Sequence, residues 1–184
     1  MANQYYYTVS SLPMLSYESE RFMSEEEFFD CCESTVTEKD FQILKKAGIV
    51  PEEGPFTESV LEKWSSWERS LRNELVKMRA GKKGQDGEKY LSGGTLETGV
   101  LEIAREAFNA GSPLEGELIL DRARWEYLEM LEAGHYFDLG RLIIYFLQLQ
   151  ILQRKMQINK ERGKIEFGEI YSNITGIKDS KGSW

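Results

Sequence analysis

Histidine is nearly missing from this chain: among 184 residues, His135 stands alone. Cysteine is scarce too, and Cys31 and Cys32 are neighbours. So few imidazole and thiolate groups nearly exclude the common transition-metal sites. Any nucleophile–base pair built on imidazole would have to use His135, and no nucleophile-elbow motif accompanies it. Adjacent cysteines rarely face each other as a bridge requires. They read as two reduced thiols on a helix of a cytosolic protein, one of them packed in the core. Basic charge is in deficit, with 23 Lys+Arg against 31 Asp+Glu and a net charge of −8. Such a chain lacks the basic face that general nucleic-acid binding needs. The most apolar run, Leu142 to Leu152, carries Gln148 and Gln150. It is well short of the roughly 20 residues of a spanning helix, so it reads as a buried helix and not as a membrane anchor. The first residues, Met-Ala-Asn-Gln-Tyr-Tyr-Tyr, have no basic stretch followed by an apolar one, so no secretory signal is expected. A phosphate-binding Gly-x-x-x-x-Gly-Lys-Ser/Thr is also missing. Gly81, Gly84 and Gly87 follow the end of a helix and belong to a solvated loop.

What remains is a globular composition, 41% hydrophobic and 29% charged, and only four prolines to interrupt helices. Residues 5–15 hold three tyrosines and Pro13, and fit either an extended lead-in or a short helix. Ser24-Glu-Glu-Glu27 matches a capping box. It predicts a helix to about Glu33 that buries Phe28 with Phe29 or Cys32. Thr37 opens a helix containing Phe41, Ile43 and Leu44, with Gly48 as its stop. From near Thr57 to just before Gly81, the residues Val60, Leu61, Trp64, Trp67, Leu71, Leu75 and Met78 form one apolar stripe. Residues 81–94 contain five glycines and form the main loop. Leu96, Val100, Ile103, Ala104, Ala107 and Phe108 define the next helix. Ser112-Pro113-Leu114-Glu115 then starts another, with Leu118, Trp125, Leu128 and Leu131 expected inside. Asp138 caps a helix to about Arg162, with Arg154, Lys155, Lys160 and Arg162 complementing its dipole. Ile165, Phe167, Ile170, Tyr171 and Ile174 suggest a short last helix, and the final ten residues read as loose. No strand ladder is visible. The expected fold is all-α: an antiparallel bundle of six to seven helices in one domain (1–184), divisible into sub-bundles 1–80 and 95–176 around the Gly-rich loop.

Glu132-Ala-Gly-His135 has the Glu-x-x-His spacing of carboxylate-bridged metal bundles, but a second such pair is impossible with one histidine. We therefore expect no metal and no cofactor, and read His135 as a hydrogen-bonding residue at a helix end. The many carboxylates could supply an acid–base pair, yet they read better as solvated helix faces. Residues 18–33 carry seven acids and one base, a local net charge of −6, and Glu25 and Glu26 there suggest an acidic docking edge. Residues 150–184 carry seven bases and four acids. Trp64 and Trp67 share a helical face; core packing is the simpler explanation, and an exposed partner contact the sharper one. Tyr5, Tyr6 and Tyr7 cannot all be buried on one side of a helix or strand, and Tyr5 and Tyr6 are further partner-contact candidates.

Two stretches resemble known families. Tyr5-Tyr-Tyr-Thr-Val-Ser-Ser-Leu-Pro-Met-Leu15, Ser24-Glu-Glu-Glu-Phe28, Cys32 and Lys39-Asp-Phe-Gln-Ile-Leu44 resemble uncharacterised bacterial proteins encoded among V/A-type ATPase genes. Leu118-Ile-Leu-Asp-Arg-Ala-Arg-Trp-Glu-Tyr-Leu128, continuing through His135-Tyr-Phe-Asp138 to the Leu142–Leu152 helix, is similar to the helical repeat of the V/A-type ATPase central-stalk subunit, called C in prokaryotes and d in eukaryotes. The chain is shorter than the full stalk subunit, which stacks several such repeats, and it lacks that subunit's Ile-Asp-x-x-Asn pattern. The resemblance implies a non-catalytic component at the central stalk, contacting the shaft and the membrane rotor ring. It would be cytoplasmic and peripheral to the inner membrane through that complex. Asp121 and Arg122 would then be structural ion-pairing residues at a helix–helix contact. The alternatives are a helical interaction adaptor unrelated to the ATPase and, further off, an enzyme with a carboxylate-rich cleft.

Overall fold

The computed structural model describes residues 4–51 and 54–179, with side chains described as far as Asn159. Among the described residues there are seven α-helices and one short 3-10 turn, and no strand. They are α1 (Tyr6–Ser11), α2 (Glu25–Glu33), α3 (Glu38–Leu44), α4 (Ser59–Lys82), α5 (Val100–Phe108), α6 (Pro113–Leu131) and α7 (Leu139–Asp179); the 3-10 turn is Glu88–Tyr90. The all-α expectation holds.

Local chemistry explains most boundaries. Ser24 and Glu27 form the reciprocal capping box of α2. Thr37 accepts from the Asp40 amide at the start of α3. Ser112 accepts from Glu115 N at the start of α6, with Pro113 following it. Asp138 Oδ1 accepts from Arg141 N at the first turn of α7.

Residues 6–11 take the helical one of the two forms open to them, and Pro13 lies just beyond. Helix α4 starts at Ser59, near Thr57 as expected, and Glu58 caps it, its carboxylate accepting from Val60 N and Leu61 N. Other boundaries depart from the expectation. Helix α4 runs on through Gly81 to Lys82. Helix α3 stops at Leu44, before Gly48. Leu96 lies in the loop and is exposed, because Gly99, with φ of 80°, sets the start of α5. Helix α7 is continuous to Asp179, with no break near Arg162. A glycine inside a helix costs only about 1 kcal/mol and need not end it. Arg162 is therefore mid-helix; its side chain, that of Lys160 and the expected contacts of Ile165 to Ile174 lie outside the described side chains, and residues 180–184 outside the described residues.

Helix α7 is the centre of the molecule. All eight residues from Leu142 to Leu149 are buried, as are Ile151 and Leu152. A helix apolar on every side needs neighbours on every side. Here α2, α3, α4 and α6 all pack on it. On the α2–α3 side, Phe28 stacks on Phe146 at 5.2 Å and on Tyr145 at 5.6 Å, while Phe29 contacts Phe146 and Phe41. Helix α5 packs against α4 and α6. Gly116 permits the α5–α6 crossing: a Cβ there would stand 2.6 Å from the Ala107 carbonyl oxygen. Cys32 is buried and Cys31 exposed, both free; burial pushes the Cys32 thiol up to about 12. No helix among the described residues is long and apolar enough to cross a membrane.

Candidate functional site

Two features stand out from ordinary helix packing, and both belong to α6. The first is a row of alternating charges through the interior. Arg124 is 3% exposed; its guanidinium donates to Glu68 on α4 at 2.9 and 3.0 Å, and to Asp121 at 2.8 Å. Glu68 also accepts from Arg72 at 2.7 Å. On α7, Arg154 places Nε 3.3 Å from Asp121 Oδ2, an ion pair without an aligned hydrogen bond, and its NH2 pairs with Glu117. Three acids and three arginines thus bind α4, α6 and α7 together. Burial pushes the Asp121 carboxyl above its usual range, while Arg124 and Arg154 pull it back. The fork of Arg124 suits two carboxylates at once, which a lysine would not match.

The second feature is a groove of about 760 Å³ on the outer side of α6. Its floor is apolar: Leu118, Ile119, Ala123, Tyr127 and Met130 from α6, with Ile103 from α5. Met130 is 61% exposed. Tyr127 is anchored from behind, its ring stacked on Trp67 at 4.5 Å. The wall opposite α5 is the non-helical segment around Tyr17. The Tyr17 ring lies between two cations, Lys155 Nζ at 3.9 Å and the Arg122 guanidinium at 4.9 Å, and meets Trp125 edge-on. Burial, with Asp121 nearby, pushes the Tyr17 phenol up to about 12, so it stays neutral. Lys155 also donates to the Tyr17 carbonyl at 2.7 Å and pairs with Glu18. Glu18, Glu106, Glu115 and Glu126 complete the rim.

The partner-contact residues expected from sequence are scattered. Trp64 and Trp67 are core residues, 0% and 3% exposed; Trp64 Nε1 donates to the Gly48 carbonyl, and Trp67 contributes to the lining of the groove behind Tyr127. Tyr5 is also buried, and its hydroxyl donates to Asp40 while its amide bonds the Phe137 carbonyl. This ties the chain start to α3 and to the α6–α7 turn. Tyr6 is exposed and leans on Phe137, and Tyr7 is exposed as well. Glu25 is half-buried and Glu26 exposed, in the first turn of α2, where acids favour the helix dipole; neither lines the groove. Asp121 and Arg122 are both ion-paired, but not with each other. Consecutive helical residues diverge by about 100°, so Asp121 turns inward to Arg124 while Arg122 turns outward to Glu126 and Glu18. His135 bonds Asp138 at 2.8 Å and packs on Gly140. No group of His, Cys, Asp or Glu among the described residues is arranged to hold a metal ion.

Sequence reasoning missed Glu68, Arg124 and most of the groove, and gave Arg154 a helix-dipole role where it pairs with Glu117 and Asp121. A signal existed for Glu68: it falls four residues after Trp64 and three before Leu71, on the buried stripe of α4. Leu118 was expected in the core; it is half-buried and forms groove floor instead.

Residues 101–177 match the model of a family described as "Protein of unknown function (DUF2764)". That match spans nearly all of α5, all of α6 and nearly all of α7; Glu68 and Arg72 of the charge row, and Tyr17 and Glu18 of the groove wall, lie outside it. No curated protein and no solved structure matches the chain.

Proposed function

We propose that this chain is a non-catalytic assembly or coupling component of a V/A-type ATPase, at the central stalk between the shaft and the membrane rotor ring. The choice of machine rests on the resemblance of residues 5–44 and 118–152 to proteins of that system. The mode of action rests on the groove: an apolar floor on one helix, half-buried at Leu118, Ile119, Ala123 and Tyr127 and exposed at Met130. Apolar grooves rimmed by polar residues mark interaction sites.

Stiffness is the second requirement of a part that passes on force. Sliding α6 against α4 or α7 would pull Arg124 from Glu68 and Arg154 from Asp121. Breaking a buried pair costs about 3–5 kcal/mol. The groove therefore sits on a helix locked to its neighbours by directional bonds. The same surface would serve a helical adaptor outside the ATPase equally well, so the test must identify the partner.

A photo-cross-linking residue at Met130, in the full chain expressed in its own cells, makes that identification. The expected adduct is with a central-stalk or rotor-ring subunit of the V/A-type ATPase. Adducts with other proteins alone, while the ATPase is recovered intact without this chain, would overturn the ATPase assignment.

A further inference from the structure

The two sides of the groove differ in how their charges are satisfied. On the Tyr17 side every cation is engaged. Arg122 pairs with Glu126 at 2.9 Å and Glu18 at 3.5 Å, and Lys155 with Glu18 at 3.1 Å. On the α5 side, Glu106 has no cationic partner among the described residues, and the Glu115 carboxylate accepts the Gly111 amide. Neither Glu102 nor Arg105 of α5 lines the groove. One edge of an apolar trough thus carries uncompensated negative charge, and the other is neutralised.

The trough also has the proportions of a helix. From Glu115 to Met130 its α6 floor extends about 22 Å at 1.5 Å per residue. Its two walls, α5 and the Tyr17 segment, stand on either side of that floor. The half-buried Ile119 and Ala123 and the exposed Met130 recur at the spacing of one helical face.

We propose that the groove takes an amphipathic helix from a partner protein, its apolar stripe on the α6 floor and its Lys or Arg residues along the edge facing α5. Recognition is then of the helix-in-groove type, with the carboxylates of Glu106 and Glu115 choosing the orientation. This rests on the reading of the chain as an interaction component and not on which machine it serves. Failure of the peptide experiment below and failure of the ATPase cross-link are therefore separate results.

The probe is a synthetic helical peptide of about 18 residues with a leucine stripe and lysines along one edge, titrated against the full chain by fluorescence anisotropy. A twin peptide carries glutamate in place of lysine. The lysine peptide is expected to bind, and its twin at least about tenfold more weakly, the gap closing as salt screens the charges. Glu106→Gln with Glu115→Gln should weaken the lysine peptide about threefold to tenfold, as two exposed charge pairs allow. Ile119→Ser should abolish binding with the circular dichroism spectrum unchanged. Equal binding of the twins, or no binding of either to the folded chain, would overturn the proposal. So would a dimer in sedimentation that Met130→Lys dissolves, since a second copy would then be the occupant.

Discussion

Replacing Arg124 by methionine keeps much of the stem's volume and removes the guanidinium that joins α4 to α6. Two carboxylates, Glu68 and Asp121, each with a side chain fully buried, then lose their shared donor. Removing one partner of a buried ion pair costs about 3–5 kcal/mol. Arg72 still pairs with Glu68, and Arg154 still stands 3.3 Å from Asp121. The loss should therefore fall near the lower end, about 3 kcal/mol. For a domain of this size that lowers Tm by roughly 6–12 °C. The deficit should depend on pH in a fixed direction. Burial already raises the folded-state pKa of Asp121 above its unfolded value, and removing Arg124 raises it further. The folded state then holds the proton more tightly than the unfolded chain, so Asp121's contribution is present at low pH and lost as pH rises through its folded value. Urea melts of Arg124→Met from about pH 4 to pH 7 should show a deficit that widens towards neutrality. Adding Asp121→Asn to that variant should recover more than about 1 kcal/mol at pH 7, because it removes a buried charge left with only the unaligned Arg154 pair. A loss below about 1 kcal/mol at pH 7, the size of a surface pair, or a deficit constant with pH, would refute this account of the network.

Gly116→Ala should force α5 away from α6, since its Cβ would meet the Ala107 carbonyl at 2.6 Å; the expected loss is about 1–3 kcal/mol, read by thermal melts. Ser24→Ala removes the capping box of α2 and should cost about 1 kcal/mol, measured by urea titration. Met130→Lys, on an exposed side chain, should leave stability within about 0.5 kcal/mol while preventing partner capture in the groove.

The fold was legible where a short-range rule acts alone. The caps Ser24, Thr37, Ser112 and Asp138 each need only a side-chain oxygen and an amide two or three residues on, and each was found in place. The apolar stripe of α4 was equally plain, and its tryptophans lie in the core. Boundaries set by weak penalties were not legible: Gly81 sits inside α4, and α7 continues past Arg162. The site was harder still. Asp121 and Arg122 look like partners in sequence, but helical geometry sends them to opposite sides: Asp121 meets Arg124 and, on α7, Arg154, while Arg122 meets Glu126 and Glu18. Leu118, Trp125 and Leu128 all read as core; only the placement of α5 and of the Tyr17 segment shows that Leu118 is groove floor. Long-range packing decides both, and periodicity along one helix cannot report it.

The most direct test of the central claim is quantitative mass spectrometry of the V/A-type ATPase purified in mild detergent from the chain's own cells, with and without Ile119→Ser in the chain's groove. The account predicts that the chain is recovered at a fixed ratio to the shaft subunit, and that the substitution removes it while the rest of the complex is unchanged. Recovery at background level from an intact complex, or recovery that ignores the substitution, would contradict it.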